Sequence, residues 1–219
     1  MKVEPQKYRI SLALSSVFFP ITEPDFSDAL KEKGYTLGRT VPPVFPAGPR
    51  AYISGSIATK SDCVIGVDAN RKLVVTEGRS SESVMEVMNE LMGIARKNFR
   101  VNFKKELAYI ELIANLIVTS EKNPLRSMAT FSKKHVSLKD FDEILGTDIS
   151  LYSIAIAPEG VQPNGPKWFD IRVSPRNTRP SLEYYVEVVF RDQEVKKVMD
   201  FTRQVDATIM KLIKKIERD

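Results

Sequence analysis

The chain contains 219 residues, of which 42% are hydrophobic and 28% charged, and its formal net charge is +5. This balance is typical of a globular protein with a real core and excludes a disordered, collagen-like or membrane-embedded class. The single cysteine and single histidine, Cys63 and His135, exclude an intramolecular disulfide, a Cys/His zinc site and a Cys-x-x-Cys redox motif. Without a signal peptide or an apolar stretch of membrane-helix length, we expect no membrane partner and a cytoplasmic location. Scarce cysteine, histidine and glutamine, with many prolines in loops, would suit a thermophile.

The first predicted elements are a strand and a short helix. From 8 to 14, apolar and polar residues alternate in the period-2 pattern of a half-buried strand. From 25 to 34, apolar residues recur at helical spacing, with acids in the first turn and lysines in the last. Gly34 is then expected to end a short helix.

The remainder of the first half predicts a loop, three strands and a long helix. Four prolines between 38 and 50 exclude a helix and an inner strand, so we expect an extended surface loop. Strand-like runs at 51–58, 62–68 and 72–77 are expected to pair as an antiparallel meander. A helix over 80–97 follows, with a serine cap and apolar residues three and four positions apart.

The second half is predicted to repeat this plan. It begins with a strand at 107–119 and a short helix at 137–146 that has a serine cap, Ser137, and a glycine stop, Gly146. Further strands are predicted at 151–157, 168–174 and 182–190. A closing helix over 192–216 carries an apolar stripe at alternating steps of three and four, formed by Val195, Val198, Thr202, Val205, Ile209, Leu212 and Ile216.

These elements together predict an α+β fold made of two weakly similar halves, 1–100 and 101–219. Each half would contribute to an antiparallel sheet, and the two long helices would cover one face of it. The other sheet face would then remain for a binding partner.

One stretch of the first half resembles a known family. Lys72-Leu73-Val74-Val75-Thr76-Glu77-Gly78-Arg79-Ser80 resembles the Gly-Lys-Val-Val-Thr-Gly-Ala-Lys-Ser stretch of the TATA-box-binding protein family, and the order of predicted elements is similar to that family's over almost the whole chain. The resemblance implies a duplicated saddle whose concave sheet face lies on the DNA minor groove, with Val74 and Thr76 on that face. The preceding strand, 63–67, lacks the phenylalanine that the family uses as a wedge between bases. The resemblance therefore indicates that family's fold rather than its activity.

Basic clusters indicate that nucleic acid is the expected partner. The run 96–105 interleaves five cations with two phenylalanines, a composition suited to phosphates and base stacking, although a helix end and a linker also explain it. Three arginines between 172 and 179 could clamp an anion or simply be solvated. The candidate nucleic-acid-binding residues are Lys72, Val74, Thr76, Arg96, Lys97, Arg100, Lys104, Lys105, Arg172, Arg176 and Arg179.

Catalytic signatures are scarce in the sequence. His135 precedes a predicted helix cap, and no Gly-x-Ser-x-Gly motif accompanies it. Asp140 and Glu143 fit the first turn of a helix, and Cys63 lies inside an apolar strand as a small core residue. Phosphate-loop and dinucleotide motifs are missing from the sequence. We therefore expect a non-enzymatic protein that needs no cofactor and no metal.

Two alternatives to nucleic-acid binding remain open. The apolar stripe from 195 to 216 could form the seam of a homodimeric scaffold, although packing on the chain's own sheet uses the same residues and is favoured. Long helices gripping a curved sheet could instead enclose a small apolar ligand in an internal cavity. The prolines at 43, 46 and 49 match the spacing of a polyproline ligand, and loop rigidity explains them equally well.

Overall fold

The computed structural model describes residues 1–15, 24–38, 54–68 and 71–218. The polyproline-like spacing and most of the predicted loop at 38–50 lie outside the described residues, as do residues 51–53 and the turn residues 69 and 70. In chain order the elements are β1 (Lys2–Leu14), α1 (Pro24–Glu32), β2 (Thr36–Leu37), β3 (Ser54–Lys60), β4 (Cys63–Asp68), β5 (Leu73–Gly78), α2 (Ser81–Phe99), α3 (Phe103–Glu106), β6 (Leu107–Thr119), α4 (Pro124–His135), α5 (Lys139–Leu145), β7 (Ile154–Ile156), β8 (Trp168–Pro175), β9 (Glu183–Asp192) and α6 (Val195–Arg218).

The strands form one antiparallel sheet in the order β2-β3-β4-β5-β1-β6-β9-β8-β7. At the centre of the sheet, β1 pairs with β6 along nearly the whole length of both strands. These are the first strands of the two halves. From this pair the first half extends outward on one side and the second half on the other. The predicted α+β class is confirmed, and the two halves share a single continuous sheet.

The hydrophobic core lies between this sheet and the two long helices. Ile10 stands opposite Thr76 and Leu112 in the register of the neighbouring strands, and all three side chains are fully buried. Above them, α2 and α6 bury the apolar positions of their 3–4 repeats, which is why both helices lie flat on one sheet face. The side-chain oxygen of Ser80 accepts a hydrogen bond from the amide of Ser83 at 3.2 Å, so the predicted cap of α2 is confirmed.

The apolar stripe of α6 packs on the chain's own sheet. Val198, Thr202, Val205 and Ile209 are at most 1% exposed, and Phe201 beside them stacks on Phe190 of β9 at 4.1 Å between ring centroids. Own-sheet packing, the favoured interpretation of the stripe, is therefore confirmed. Five of the seven stripe residues are buried against the core and only Val195 and Leu212 are half-buried, so the stripe does not offer the continuous apolar seam that a dimer would need.

The second half departs from the predicted plan at α4 and α5. Residues 124–135 form a helix that the sequence patterns did not predict, with Asn123 as its cap and Pro124 in its first turn. The start of α5 also differs, because its cap position is Leu138, without a side-chain hydrogen bond, and not Ser137. Gly146 ends α5 in the left-handed conformation at φ 66°, as predicted.

Candidate functional site

The sheet face turned away from α2 and α6, called the open face here, is defined by the strand register. Side chains alternate between the two faces, so the neighbours of the buried Ile10 in β1, Arg9 and Ser11, lie on the open face. Arg9 stands opposite Glu77 and Ile113 across the neighbouring strands. The open face is therefore a mixture of charged and apolar side chains, and it is not exposed throughout, because Ser11, Leu73 and Val75 on this face are buried.

Among the strand residues that the structure describes, acidic side chains outnumber basic ones on the open face, seven to five. The cations are Lys2, Lys7, Arg9, Arg172 and Arg191, and the acids are Glu4, Asp68, Glu77, Glu111, Asp170, Glu183 and Glu187. Several of the cations are paired within the sheet. A guanidinium nitrogen of Arg172 lies 2.8 Å from the carboxylate of Asp170. This distribution does not favour the phosphate backbone of a nucleic acid at the centre of the sheet.

The connection between β7 and β8 covers part of the open face. Arg191 donates to Glu111 at 2.8 Å and to the main-chain carbonyls of Pro163 and Gly165 at 3.2 and 3.0 Å. Its guanidinium also lies over the ring of Tyr109, 4.6 Å from the centroid. These contacts hold the connecting segment against the sheet and leave Arg191 occupied.

Val74 and Thr76 lie on the helix-covered face, and the expectation that they face a partner is wrong. Val74 is fully buried opposite Leu12, and the Thr76 hydroxyl donates to the main-chain oxygen of Val84 in α2 at 3.2 Å. Their neighbours Leu73 and Val75 take the open-face positions of β5. The sequence alone does not show which residues of β5 face the helices, because the consecutive valines at 74 and 75 break the alternation of apolar and polar residues.

The three arginines between 172 and 179 serve ion pairs within the chain. Arg176 and Arg179 both bind the carboxylate of Glu183, at 2.6 and 3.3 Å. The hydrogen bond from Arg176 is the main reason why the pKa of Glu183 is lowered. Arg172 is paired with Asp170. None of the three is therefore a free anion clamp.

The cations between 96 and 105 form a different kind of surface, called the basic end here. It consists of Arg96, Lys97, Arg100, Lys104 and Lys105. All five side chains are exposed, and none makes an ion pair with another described residue. The only acid between 96 and 106 is Glu106.

Local structure explains how the basic end is built. Arg96 and Lys97 occupy the last turn of α2, where cations stabilise the negative end of the helix dipole. Arg100 turns the chain in the left-handed conformation at φ 55°. The short helix α3 then carries Lys104 and Lys105, and the Arg96 guanidinium lies 5.2 Å from the ring centroid of the buried Phe103. The cations thus lie at the end of α2 and on α3, and the buried Phe103 fixes α3 to the core.

Lys72 lies beside the basic end, whereas Arg176 and Arg179 are far from it. The Lys72 ammonium donates to the main-chain oxygen of Ser15 at 3.3 Å, and the Ser15 hydroxyl donates to the main-chain oxygen of Glu106 at 3.1 Å. Glu183, the partner of both arginines, pairs with the last residue of β6. A strand of 13 residues separates the two places, a distance of about 40 Å. The candidate residues therefore do not form one site.

The cysteine and the histidine occupy structural positions. Cys63 is 1% exposed, and burial, aided by Asp62, raises the pKa of its thiol to about 11. His135 ends α4 with its ring 4.5 Å from that of Phe131. Within the described ranges no group of three or more histidine, cysteine, aspartate or glutamate side chains is placed to hold a metal ion. None of the helices described is long and apolar enough to span a membrane.

A groove on the helical surface bears on the small-ligand alternative. It has a volume of 760 Å³, lies between α1 and α2, and is lined largely by charged side chains, among them Glu32, Lys33, Glu86, Glu90 and Lys97. Sites for apolar ligands are mostly lined by hydrophobic and aromatic groups. This groove combines charged side chains with the apolar Ala29, Met85 and Ile94, and it is open to the surface, so it is not the internal cavity that the small-ligand alternative expects.

A surface that the sequence patterns did not single out lies on α5. Phe141, Ile144 and Leu145 are all exposed, and none of the residues of α5 is buried. The sequence does contain a signal, because the apolar spacing of this helix repeats that of α1.

Comparison of the chain with models of known protein families and with curated proteins finds no match.

Proposed function

We propose that this protein is a non-enzymatic binding protein that contacts the phosphate backbone of a nucleic acid through its basic end. The observation that carries the proposal is the basic end itself, five exposed cations that no carboxylate neutralises among the described residues. Elsewhere in the candidate set the arginines are already paired with acids. Unpaired, exposed cations are the groups that release counterions when they meet phosphates.

A further observation supports a nucleic acid as the partner. Lys72, at the start of the stretch that carries the resemblance, lies beside the basic end through Ser15 and Glu106. The acidic excess of the open face moves the proposed contact from the sheet to this end of the molecule.

The test is a fluorescence-anisotropy titration of labelled duplex and single-stranded DNA and RNA over a series of salt concentrations. If all five cations contact phosphates, log Kobs for duplex DNA falls with log salt at a slope of about −4.5. Replacing Lys104 and Lys105 together by glutamine reduces the steepness of that slope by about 1.8. Absence of salt-dependent binding to every probe at low salt would refute the proposal.

The control variant removes the same charge from another helix. Lys211 and Lys214 are exposed on α6, and their joint replacement by glutamine leaves binding almost unchanged if the basic end is the site. A second comparison replaces Lys7 and Arg9 on the open face by glutamine. Binding that is lost in this variant and retained in the Lys104 and Lys105 variant would move the site back to the sheet and contradict the proposal.

A further inference from the structure

The two phenylalanines of the run 96–105 are engaged inside the molecule. The ring of Phe99 lies 5.9 Å from that of Phe26 in α1, and its side chain is partly buried against the core. Phe103 is 5% exposed and has the Arg96 guanidinium 5.2 Å from its ring centroid. A base stacks only on a ring whose face it can reach. Of the two contacts that the composition of this run suits, phosphate binding therefore remains and base stacking does not.

The helices of the basic end are not free to enter a groove of DNA. Along its length α2 buries apolar residues from Val84 to Ala95, and it also contacts α1 and α6. The major groove is about 12 Å wide, so it admits a single helix of about 10–12 Å in diameter and not a helix flanked by others. The other helix, α3, has only four residues and begins with the buried Phe103. Contacts with a duplex are therefore made on its outer surface, where the phosphates lie.

The cations themselves suit phosphates better than base edges. Lys97, Lys104 and Lys105 carry compact charges on flexible stems. The Arg96 guanidinium already lies over a ring. Among the described residues the Arg100 side chain makes no hydrogen bond, ion pair or ring contact that would fix its direction. Bidentate recognition of a guanine needs a guanidinium that its surroundings hold in one orientation, so no side chain of the basic end is prepared for it.

We propose that the basic end binds the double-stranded form of a nucleic acid through its phosphates alone, without selecting a base sequence. This inference rests on the proposed function and names the class of nucleic acid that the same site takes. A DNA duplex carries one phosphate charge per about 1.7 Å of its axis, whereas one strand carries half as many. A single strand also exposes its bases, and the run 96–105 has no free ring to receive them. The duplex is therefore the better ligand.

The test measures how well unlabelled DNA competes with a short labelled duplex for the protein. Duplexes of A·T-rich, G·C-rich and mixed sequence agree in affinity within about threefold, whereas a sequence-specific protein separates its site from other DNA by about 10³ or more. With five phosphate contacts the slopes of log Kobs against log salt are about −4.5 for a duplex and about −3.5 for a single strand. If the two forms bind equally at about 1 M salt, the duplex binds about 20-fold more tightly at about 50 mM and about fivefold at about 200 mM.

Two variants of Arg100 separate its charge from any reading of bases. Arg100→Lys keeps the charge and leaves the affinities of the three duplexes unchanged. Arg100→Gln weakens all three by the same factor and makes the salt slope less steep by about 0.9. Lys211→Gln, at an exposed lysine of α6, is the matched control and changes neither quantity. Arg100 is exposed, so both variants fold, and circular dichroism checks this.

Three results would overturn the inference and leave the proposed function intact. They are a preference of more than about 30-fold for one duplex sequence, binding of the single strand as tight as that of the duplex at low salt, and a change in the order of the three duplexes in Arg100→Lys. Absence of binding to every probe would instead refute the proposed function, and the inference with it.

Discussion

Two buried tyrosines on the helix-covered face of the sheet offer a sharp test of the structure. Tyr8 of β1 and Tyr184 of β9 are 1% and 0% exposed. The Tyr8 hydroxyl donates to the carboxylate of Asp206 in α6 at 2.6 Å. The hydroxyl of Tyr184 is equally buried and makes no well-aligned hydrogen bond among the described residues, although the side chains of Ser127 and Glu217 lie close enough to it to affect its pKa. The same substitution, Tyr→Phe, should therefore have different effects at the two positions.

The magnitudes follow from the two environments. A hydrogen bond to a charged acceptor contributes about 1.5–3 kcal/mol, and the partly exposed Asp206 recovers some hydration when it loses its donor. We therefore expect Tyr8→Phe to lower the free energy of unfolding by about 1.5 kcal/mol. At Tyr184 the substitution removes a hydroxyl that has no well-aligned hydrogen bond, so we expect a change of less than about 0.5 kcal/mol in either direction, clearly smaller than at Tyr8.

Urea denaturation of the wild type and the two variants measures these differences, provided that the m-values agree. In thermal melts, Tyr8→Phe corresponds to a decrease in Tm of about 3–6 °C for a chain of this size. A double-mutant cycle with Asp206→Asn should give a coupling energy of about 1 kcal/mol or more. Equal destabilisation by the two Tyr→Phe variants, or a larger cost at Tyr184, would refute the reasoning.

Two titratable groups give further predictions. Burial alone would raise the pKa of Glu90, but hydrogen bonds from Tyr35 and Lys60 outweigh it and hold this pKa below its usual value. Glu90 therefore adds stability above the pKa of an unfolded glutamate, and the contribution is lost as the pH falls through the folded pKa. The Tm difference between wild type and Glu90→Gln should narrow between about pH 5 and pH 3, and a constant difference would contradict the pairing. The Cys63 thiol, with a pKa of about 11, should react slowly with a disulfide reagent at pH 8 and rapidly in urea, and fast reaction of the folded protein would show that it is not buried.

Local patterns predicted the fold class well because the elements carry strong periodicities. The strand at 107–119 and the helices at 81–99 and 195–218 agree with expectation to within three residues. The helix α4 was missed because only Pro124, Met128 and Ser132 of its residues are buried, too few for a clear apolar stripe. Its start nevertheless had a readable signal, an asparagine cap followed by proline.

The candidate site was predictable only where its residues are neighbours in the chain. The basic end is such a case, since its five cations lie within ten residues of one another. The position of Lys72 beside it depends on Ser15 and Glu106, which are distant in sequence. Glu183 is close to Arg176 and Arg179 in sequence. Each of its carboxylate oxygens nevertheless binds a different one of these arginines only because of the turn that joins β8 and β9.

Periodicities of 2 and 3.6 are local properties, so they were enough to predict an antiparallel α+β fold with two long helices on one sheet face. Which side of β5 meets the helices depends on its register with β1, which assigns Val74 and Thr76 to the core. Tertiary structure also decided which charges remain unpaired and which apolar helix face remains open. These outcomes depend on contacts between residues far apart in the chain, which no local pattern records.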